Sequence, residues 1–174
     1  MIEYRIIDRE HAADIRLKNE PFELTGRLIP ALKDGKWSYS VTEVAEKGEM
    51  CFPDENYDYD EMQKDHLFIG AYDNETCVGL AVMAESMFRY LCLDDLKVDR
   101  AYRGKGIGTG LVRQALEAAK EKGYIGIYAV CQDNNLRAAR FYLKAGFEIG
   151  GFDNRVYRGT KQADKADILF YLDI

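Results

Sequence analysis

The stretch Leu96-Lys-Val-Asp-Arg-Ala-Tyr-Arg-Gly-Lys-Gly-Ile-Gly-Thr109 constrains this chain most, because an apolar strand runs into a glycine-rich turn that opens directly into a helix. Gly104, Gly106 and Gly108 carry no side chains to block close approach. Consecutive backbone N–H groups can therefore converge on an anion at the positive end of the helix. Arg103 and Lys105 add positive charge at the same place. The turn is built to hold a phosphate. It is not a Walker loop, since no glycine here is followed by Lys and then a hydroxyl residue. It is not a dinucleotide fingerprint either: counted from Gly104 or from Gly106, the position that needs the third glycine holds Thr109 or Leu111. What remains is Arg103-Gly-Lys-Gly106-Ile-Gly108, an Arg-x-x-Gly-x-Gly loop.

With 174 residues, 47% of them hydrophobic, the chain has material for one core and too little length for two ordinary domains. A single domain over residues 1–174 is expected. The first residues lack the uninterrupted apolar core of a signal peptide, and no run approaches the length of a membrane span, so a cytoplasmic protein without membrane attachment is expected. Cys51, Cys77, Cys92 and Cys131 form neither a Cys-x-x-Cys pair nor zinc-site spacing, and only His11 and His66 could assist. Reduced structural thiols and no metal are expected. A net charge of −6 argues against nucleic-acid binding and suits a cationic small molecule. Between residues 49 and 65, Glu49, Asp54, Glu55, Asp58, Asp60, Glu61 and Asp65 face only Lys64 as a counter-charge. These acids read either as a solvated loop or, with Phe52, Tyr57 and Tyr59, as a lining for a polyamine.

Ile2 to Ile7 reads as a short strand, and about Glu10 to Lys33 as broken helix, interrupted at Pro21 and ended near Pro30 to Gly35. Trp37, Tyr39 and Val41 alternate with Ser38, Ser40 and Thr42, predicting a strand. His66 to Tyr72, Cys77 to Ala84 and Tyr90 to Val98 predict an antiparallel meander, the first two joined by an Asp-Asn-Glu-Thr turn. Ile107, Leu111, Val112, Ala115, Leu116 and Ala119 recur at helical spacing, and Gly123 closes that helix. Tyr124 to Cys131 predicts a buried strand parallel to its predecessor across the helix. A second helix spans about Asn135 to Ala145, and Phe147 to Phe152 and Ile168 to Asp173 are late strands. The expected class is a layered α/β (α+β) fold: a mixed, mostly antiparallel sheet with a central parallel crossover and helices on both faces.

Asn134-Asn-Leu-Arg-Ala-Ala-Arg-Phe-Tyr-Leu-Lys-Ala-Gly-Phe147 is the second strong signal, because Asn135, Ala138 and Tyr142 share one face of a single helix. Together the two motifs resemble the acetyl-CoA-binding motifs of the GNAT superfamily of N-acetyltransferases, in the same order. The resemblance implies acetyl-CoA as cosubstrate, with Arg103, Gly104, Lys105, Gly106, Gly108 and Thr109 at its pyrophosphate. It implies that Leu96 and Val98 pair with the pantetheine arm as an added strand, and that Asn135, Ala138 and Tyr142 complete the cofactor site. Acetyl transfer from a thioester needs an unprotonated amine, an oxyanion donor and a proton for the departing thiolate. Tyr142, a phenol protonated at neutral pH, suits the last role. A backbone N–H near Leu96 or Val98 suits the second. Asp94 and Asp95, close to the reactive end of the strand, are candidate bases; capping or ion pairing is their alternative role.

The segment Asn19-Glu-Pro-Phe-Glu-Leu-Thr-Gly-Arg-Leu-Ile-Pro30, with Trp37, the acid-rich insert and Gln132-Asp-Asn-Asn135, resembles the streptothricin acetyltransferases. That resemblance implies acetylation of an amine on the β-lysine arm of streptothricin, giving antibiotic resistance. Residues 1–65 would then serve mainly the acceptor, with Glu20, Trp37, Tyr39 and Tyr57 as substrate-binding candidates, and residues 66–174 would form the sheet and cofactor core. Pro21 and Glu23 also read as a helix-start device. Another small-molecule or peptide amine as acceptor, and a CoA-binding module without turnover, stand as alternatives. The sequence is compatible with a homodimer and does not fix the oligomeric state.

Overall fold

Strands joined by turns and by two longer helices build this protein, whose computed structural model describes residues 1–86 and 88–174. In chain order the elements are β1 (Ile2–Ile6), a 3-10 turn (Ala12–Arg16), β2 (Phe22–Lys33), β3 (Lys36–Met50), the one-turn α1 (Tyr59–Met62), β4 (His66–Asp73), β5 (Thr76–Ala84) and β6 (Tyr90–Val98). A second 3-10 turn (Arg100–Tyr102) leads to α2 (Ile107–Glu121), β7 (Gly126–Gln132), α3 (Leu136–Lys144), β8 (Glu148–Asp153) and β9 (Asp167–Asp173). Seven strands form a mixed, mostly antiparallel sheet with one parallel pair, in the order β1-β4-β5-β6-β7-β9-β8, while β2 and β3 make a separate two-stranded sheet. This is the expected fold class. The chain divides into two compact units, one of Met1–Glu20, Phe52–Ile127 and Ile174, the other of Pro21–Cys51 and Tyr128–Asp173.

In the first unit β1, β4, β5 and β6 pair antiparallel in that order. The β4–β5 turn closes at Asn74, whose left-handed φ of +55° suits an asparagine. On one sheet face lies α2, whose stripe of Ile107, Leu111, Val112, Ala115 and Ala119 is buried. Gly79 admits it, since a Cβ there would stand 3.1 Å from both Ile107 and Leu111. On the other face Ile7, Ile15, Phe68, Leu80 and Val82 form a core covered by Leu17, Tyr57, Tyr59 and Met62.

The β5–β6 ladder slips by one residue: Val82 opposes Asp95, but Met83 opposes Leu93, so Asp94 is the extra residue of a β-bulge. Cross-strand partners share a face, and the slip therefore separates two residues that simple alternation would put together. Leu93 sits on the face of Met83, whereas Asp95 and Lys97 sit on the face of Val82 and Leu80. A carboxylate and an ammonium are thus carried to the face that Tyr57 covers.

In the second unit β2 and β3 form a long hairpin closed by Asp34 (φ +51°) and Gly35 (φ +74°), an Asp-Gly turn with both central residues left-handed. The helix expected between Glu10 and Lys33 is therefore absent beyond the 3-10 turn at Ala12–Arg16. Residues 22–33 are a strand in which Gly26, Leu28 and Pro30 are buried at alternate positions. Pro21 precedes that strand and Glu23 lies within it, opposite Glu49, so neither starts a helix. The strand expected around Trp37 to Thr42 forms and extends to Met50. Elsewhere in this unit β8 pairs antiparallel with β9.

Gly26 marks a shift of register in the hairpin, and a Cβ there would stand 2.2 Å from the backbone oxygen of Thr42. A backbone atom cannot swing aside as a side chain can. Gly26→Ala should cost about 1–3 kcal/mol and lower the melting temperature; an unchanged melting temperature in a calorimetric scan would contradict this packing.

Candidate active site

The glycine-rich turn has the geometry its sequence demands. After Val98 ends β6, the Asp99 carboxylate accepts the Ala101 N–H (2.8 Å) and starts the short 3-10 turn. Gly104 (φ +77°) and Gly106 (φ +82°) then hold left-handed conformations that L side chains rarely adopt. A Cβ at either would meet nothing within 4 Å, so the space above the loop is open. The first intrahelical bond of α2 runs from the Gly110 N–H to the Gly106 carbonyl (3.0 Å), and no side chain caps the helix. The first-turn amides of Ile107, Gly108 and Thr109 lie ahead of that bond. Lys105 and Thr109 are exposed beside them, with the Lys105 ammonium 4.9 Å from the Tyr102 ring centre. Glycine backbone, uncapped amides and a lysine together fit a pyrophosphate.

Arg103 is anchored beneath this loop: its Nε donates to the Val98 carbonyl (2.8 Å) and its guanidinium pairs with Glu20 (3.1 Å). Glu20 also accepts the Arg100 N–H (2.6 Å). The carboxylate expected at the acceptor thus braces the base of the glycine-rich loop. Leu96 and Val98 are half-buried and share the face of Ala81 and Gly79, towards α2.

A compact ionic cluster occupies the opposite face of β6. The Lys97 ammonium, 8% exposed, forms a hydrogen-bonded ion pair with Glu55, lies 3.0 Å from Asp95 Oδ2 and donates to the Leu17 carbonyl (3.2 Å). It also stands 5.6 Å from the centre of the Tyr57 ring, whose hydroxyl donates to the same Asp95 Oδ2 (3.2 Å). Asn19 donates from Nδ2 to both Glu55 oxygens (2.9 and 3.1 Å), and its own N–H is accepted by Asp54 (2.7 Å). Burial pushes the Asp95 carboxyl above the ordinary carboxylate range, although Lys97 pulls the other way. Burial acts likewise on Glu55, but there the donors Lys97 and Asn19 win and hold it below that range. Lys97 is held above the ordinary lysine value because its two carboxylates outweigh its burial. Tyr57 is pushed well up by burial and by the carboxylates of Asp95, Glu55 and Asp94. Asp94 itself, the bulge residue, is exposed.

Three other acids of the 49–65 segment have partners of their own. Asp58 caps α1 by accepting the Glu61 N–H (3.1 Å), Asp60 pairs with Arg9 (2.5 Å) and Asp65 with His66 (2.6 Å). Among the described residues no group of three His, Cys, Asp or Glu side chains could hold a metal ion, and Cys77 and Cys131 are free thiols. Among the described residues no helix is long and apolar enough to cross a membrane.

In the second unit Asn135 caps α3, its Oδ1 accepting the Ala138 N–H (3.2 Å). Tyr142 is buried on α3 at 8% exposure, with its ring 5.2 Å from that of Phe147 and 5.4 Å from that of Phe170. The preceding turn is fixed by the buried Asp133, whose carboxylate accepts from Arg27 (2.8 Å) and from the Ala166 N–H (3.1 Å). Its carbonyl accepts the Leu28 N–H (3.0 Å). Trp37, half-buried, and Tyr39, 52% exposed, lie near the hairpin tip opposite Leu32 and Pro30.

The family model of the acetyltransferase (GNAT) family matches residues 32–147. The chain belongs to the GNAT acetyltransferase family. Streptothricin acetyltransferase A of Bacillus subtilis (strain 168) is 32% identical over 160 residues, covering 91% of this chain and 92% of the relative. A streptothricin acetyltransferase of Escherichia coli is 26% identical over 159 residues, 91% of this chain and 79% of that one. A proposed streptothricin acetyltransferase from Bacillus anthracis, solved in complex with acetyl coenzyme A, superposes with a TM-score of 0.87 at 29% identity, over 100% of this chain and 98% of that one. In this GNAT enzyme Lys97 and Asn19 went unread in the sequence, and Glu55 was one acid among seven. Simple alternation along β6 does not flag Lys97, because the register slip at Asp94 puts it, with Asp95, on the face opposite to Leu93.

Tyr57 keeps its proton in the fold beyond pH 10, where the unfolded residue ionises. The stability this lends is complete below about pH 10 and is lost as pH rises above it. Tyr57→Phe should therefore show a shallower fall in melting temperature above pH 10 than the parent protein; equal slopes would contradict the assignment.

Proposed function

We propose that this GNAT-family N-acetyltransferase, which takes its acetyl group from acetyl-CoA, delivers it to a primary amine of a cationic small molecule, the β-lysine arm of streptothricin, and so confers resistance to that antibiotic. The observation that carries the reading is the full-length likeness, at 32% identity, to a streptothricin acetyltransferase. The excess of acid at the β6 strand supports it, because two carboxylates there surround a single ammonium. Acetyl-CoA supplies an activated acetyl thioester.

The chain's own residues divide the remaining work. Amides at the start of α2, with Lys105, hold the pyrophosphate end, and Arg103, braced by Glu20, supports the loop. Backbone groups of β6 around Leu96 and Val98 hold the arm, and an N–H there faces the carbonyl oxygen as it gains charge. Asp95 takes a proton from the acceptor ammonium, and Tyr142, whose ring is fixed among Phe147 and Phe170, protonates the departing sulfur. Asp94, exposed on the bulge, adds negative charge near the acceptor. Tyr57 offers an aromatic face to its cationic arm.

Incubation with streptothricin and acetyl-CoA should release thiol and add a single acetyl group to the antibiotic by mass measurement. Tyr142→Phe should lower kcat about 100-fold or more while acetyl-CoA still binds. Turnover of a peptide or another amine, with streptothricin untouched, would replace the acceptor; binding of acetyl-CoA without thiol release across an amine panel would replace the enzyme with a binding module.

A further inference from the structure

The ionic cluster on β6 has more design than a base requires. Two donors, the Lys97 ammonium at 3.0 Å and the Tyr57 hydroxyl at 3.2 Å, converge on one oxygen of Asp95, Oδ2. Lys97 is in turn fixed from the other side by Glu55 and the Leu17 carbonyl, and Glu55 is held by both of its oxygens on Asn19. A largely buried lysine thus joins two carboxylates contributed by β6 and by the segment after residue 52. Two carboxylates and one ammonium leave an excess of one negative charge, which a single further cation would balance.

We propose that Lys97 is a positioning residue that locks Asp95 through Oδ2, leaving Oδ1 to receive the acceptor ammonium, and that Glu55 offsets the Lys97 charge so that Asp95 can take up the proton of that ammonium. This rests on the reading of Asp95 as the base. In the step so defined one N–H bond of the ammonium breaks, its electron pair stays on nitrogen, and the proton is bound on Asp95 before passing to solvent. Without Glu55 the adjacent Lys97 would hold Asp95 too firmly ionised to accept a proton near neutral pH. Without Lys97 the two carboxylates would repel each other and the carboxyl would be protonated too early. The directions of perturbation in the cluster agree, since Lys97 and the Tyr57 hydroxyl lower the Asp95 pKa while burial and Glu55 raise it. The charged and titratable groups around Asp95 are Lys97 and the exposed Asp94 on its own strand and Glu55 and Tyr57 from the covering segment; Arg16 on the 3-10 turn bonds the Tyr57 carbonyl (3.1 Å).

The test follows the Asp95 carboxyl directly, by carbon-13 NMR of the full protein labelled at aspartate carboxyls and titrated with pH, the resonance being assigned by its loss in Asp95→Asn. Glu55→Gln should lower the titration midpoint by about one unit, and Lys97→Met and Tyr57→Phe should raise it. The acid limb of kcat/KM for streptothricin acetylation should move the same way in each variant. A midpoint unmoved in folded Glu55→Gln and Tyr57→Phe overturns the proposed tuning even if Lys97→Met fails to fold. Midpoints that move while the acid limb stays fixed, or an Asp95→Asn enzyme of full activity, overturn instead the assignment of Asp95 as the base.

Discussion

The structure depends on a backbone conformation that only glycine adopts without strain. Gly104 and Gly106, at φ of +77° and +82°, let β6 end and α2 begin within a few residues, with the helix amides left uncapped and open space above the turn. A side chain at either position would meet no atom, so packing does not explain the glycines. Their left-handed conformation does. The surrounding structure serves this turn: Gly79 lets Ile107 and Leu111 seat α2 against the sheet, and Glu20 with Arg103 ties the loop back to the end of β6.

A second constraint, the bulge at Asp94, decides what the same strand shows on its two faces. Beyond the slip, Leu96 and Val98 turn towards α2, while Asp95 and Lys97 turn towards Leu80, Val82 and Tyr57. Charged groups carried into an apolar face must find partners. Here they do so through Glu55, Tyr57 and Asn19, and the outcome is a cluster one cation short of neutrality. A single extra residue in β6 thus separates a face towards α2 from a charged face.

The strands of the first unit were legible because each signal is local: short apolar runs in His66–Asp73 and Thr76–Ala84, an asparagine turn, and a helical stripe closed by Gly123. The glycine-rich turn was legible for the same reason. The strand Phe22–Lys33 was misread because Pro21 and Pro30 look like helix punctuation, whereas Pro30 lies in a hairpin where its missing N–H is tolerated. Asp34-Gly35 was the signal that outranked them. Glu20 was assigned to the acceptor because nothing in its neighbourhood shows that Arg100 and Arg103, some 80 residues on, would take its carboxylate. The Lys97 cluster was invisible for the same reason, since it joins Leu17, Asn19, Glu55 and Tyr57 to a strand 38–80 residues away.

The central claim is that the amides released by the two left-handed glycines hold the pyrophosphate of acetyl-CoA. Its most direct measurement is a calorimetric titration of acetyl-CoA into the parent protein and into Gly106→Ala, both shown to be folded. The account predicts one site per chain in the parent and at least about tenfold weaker binding in the variant, because an L residue at that φ distorts the turn by roughly 1–2 kcal/mol. Absence of binding to the parent, or equal affinity in the two proteins, would contradict it.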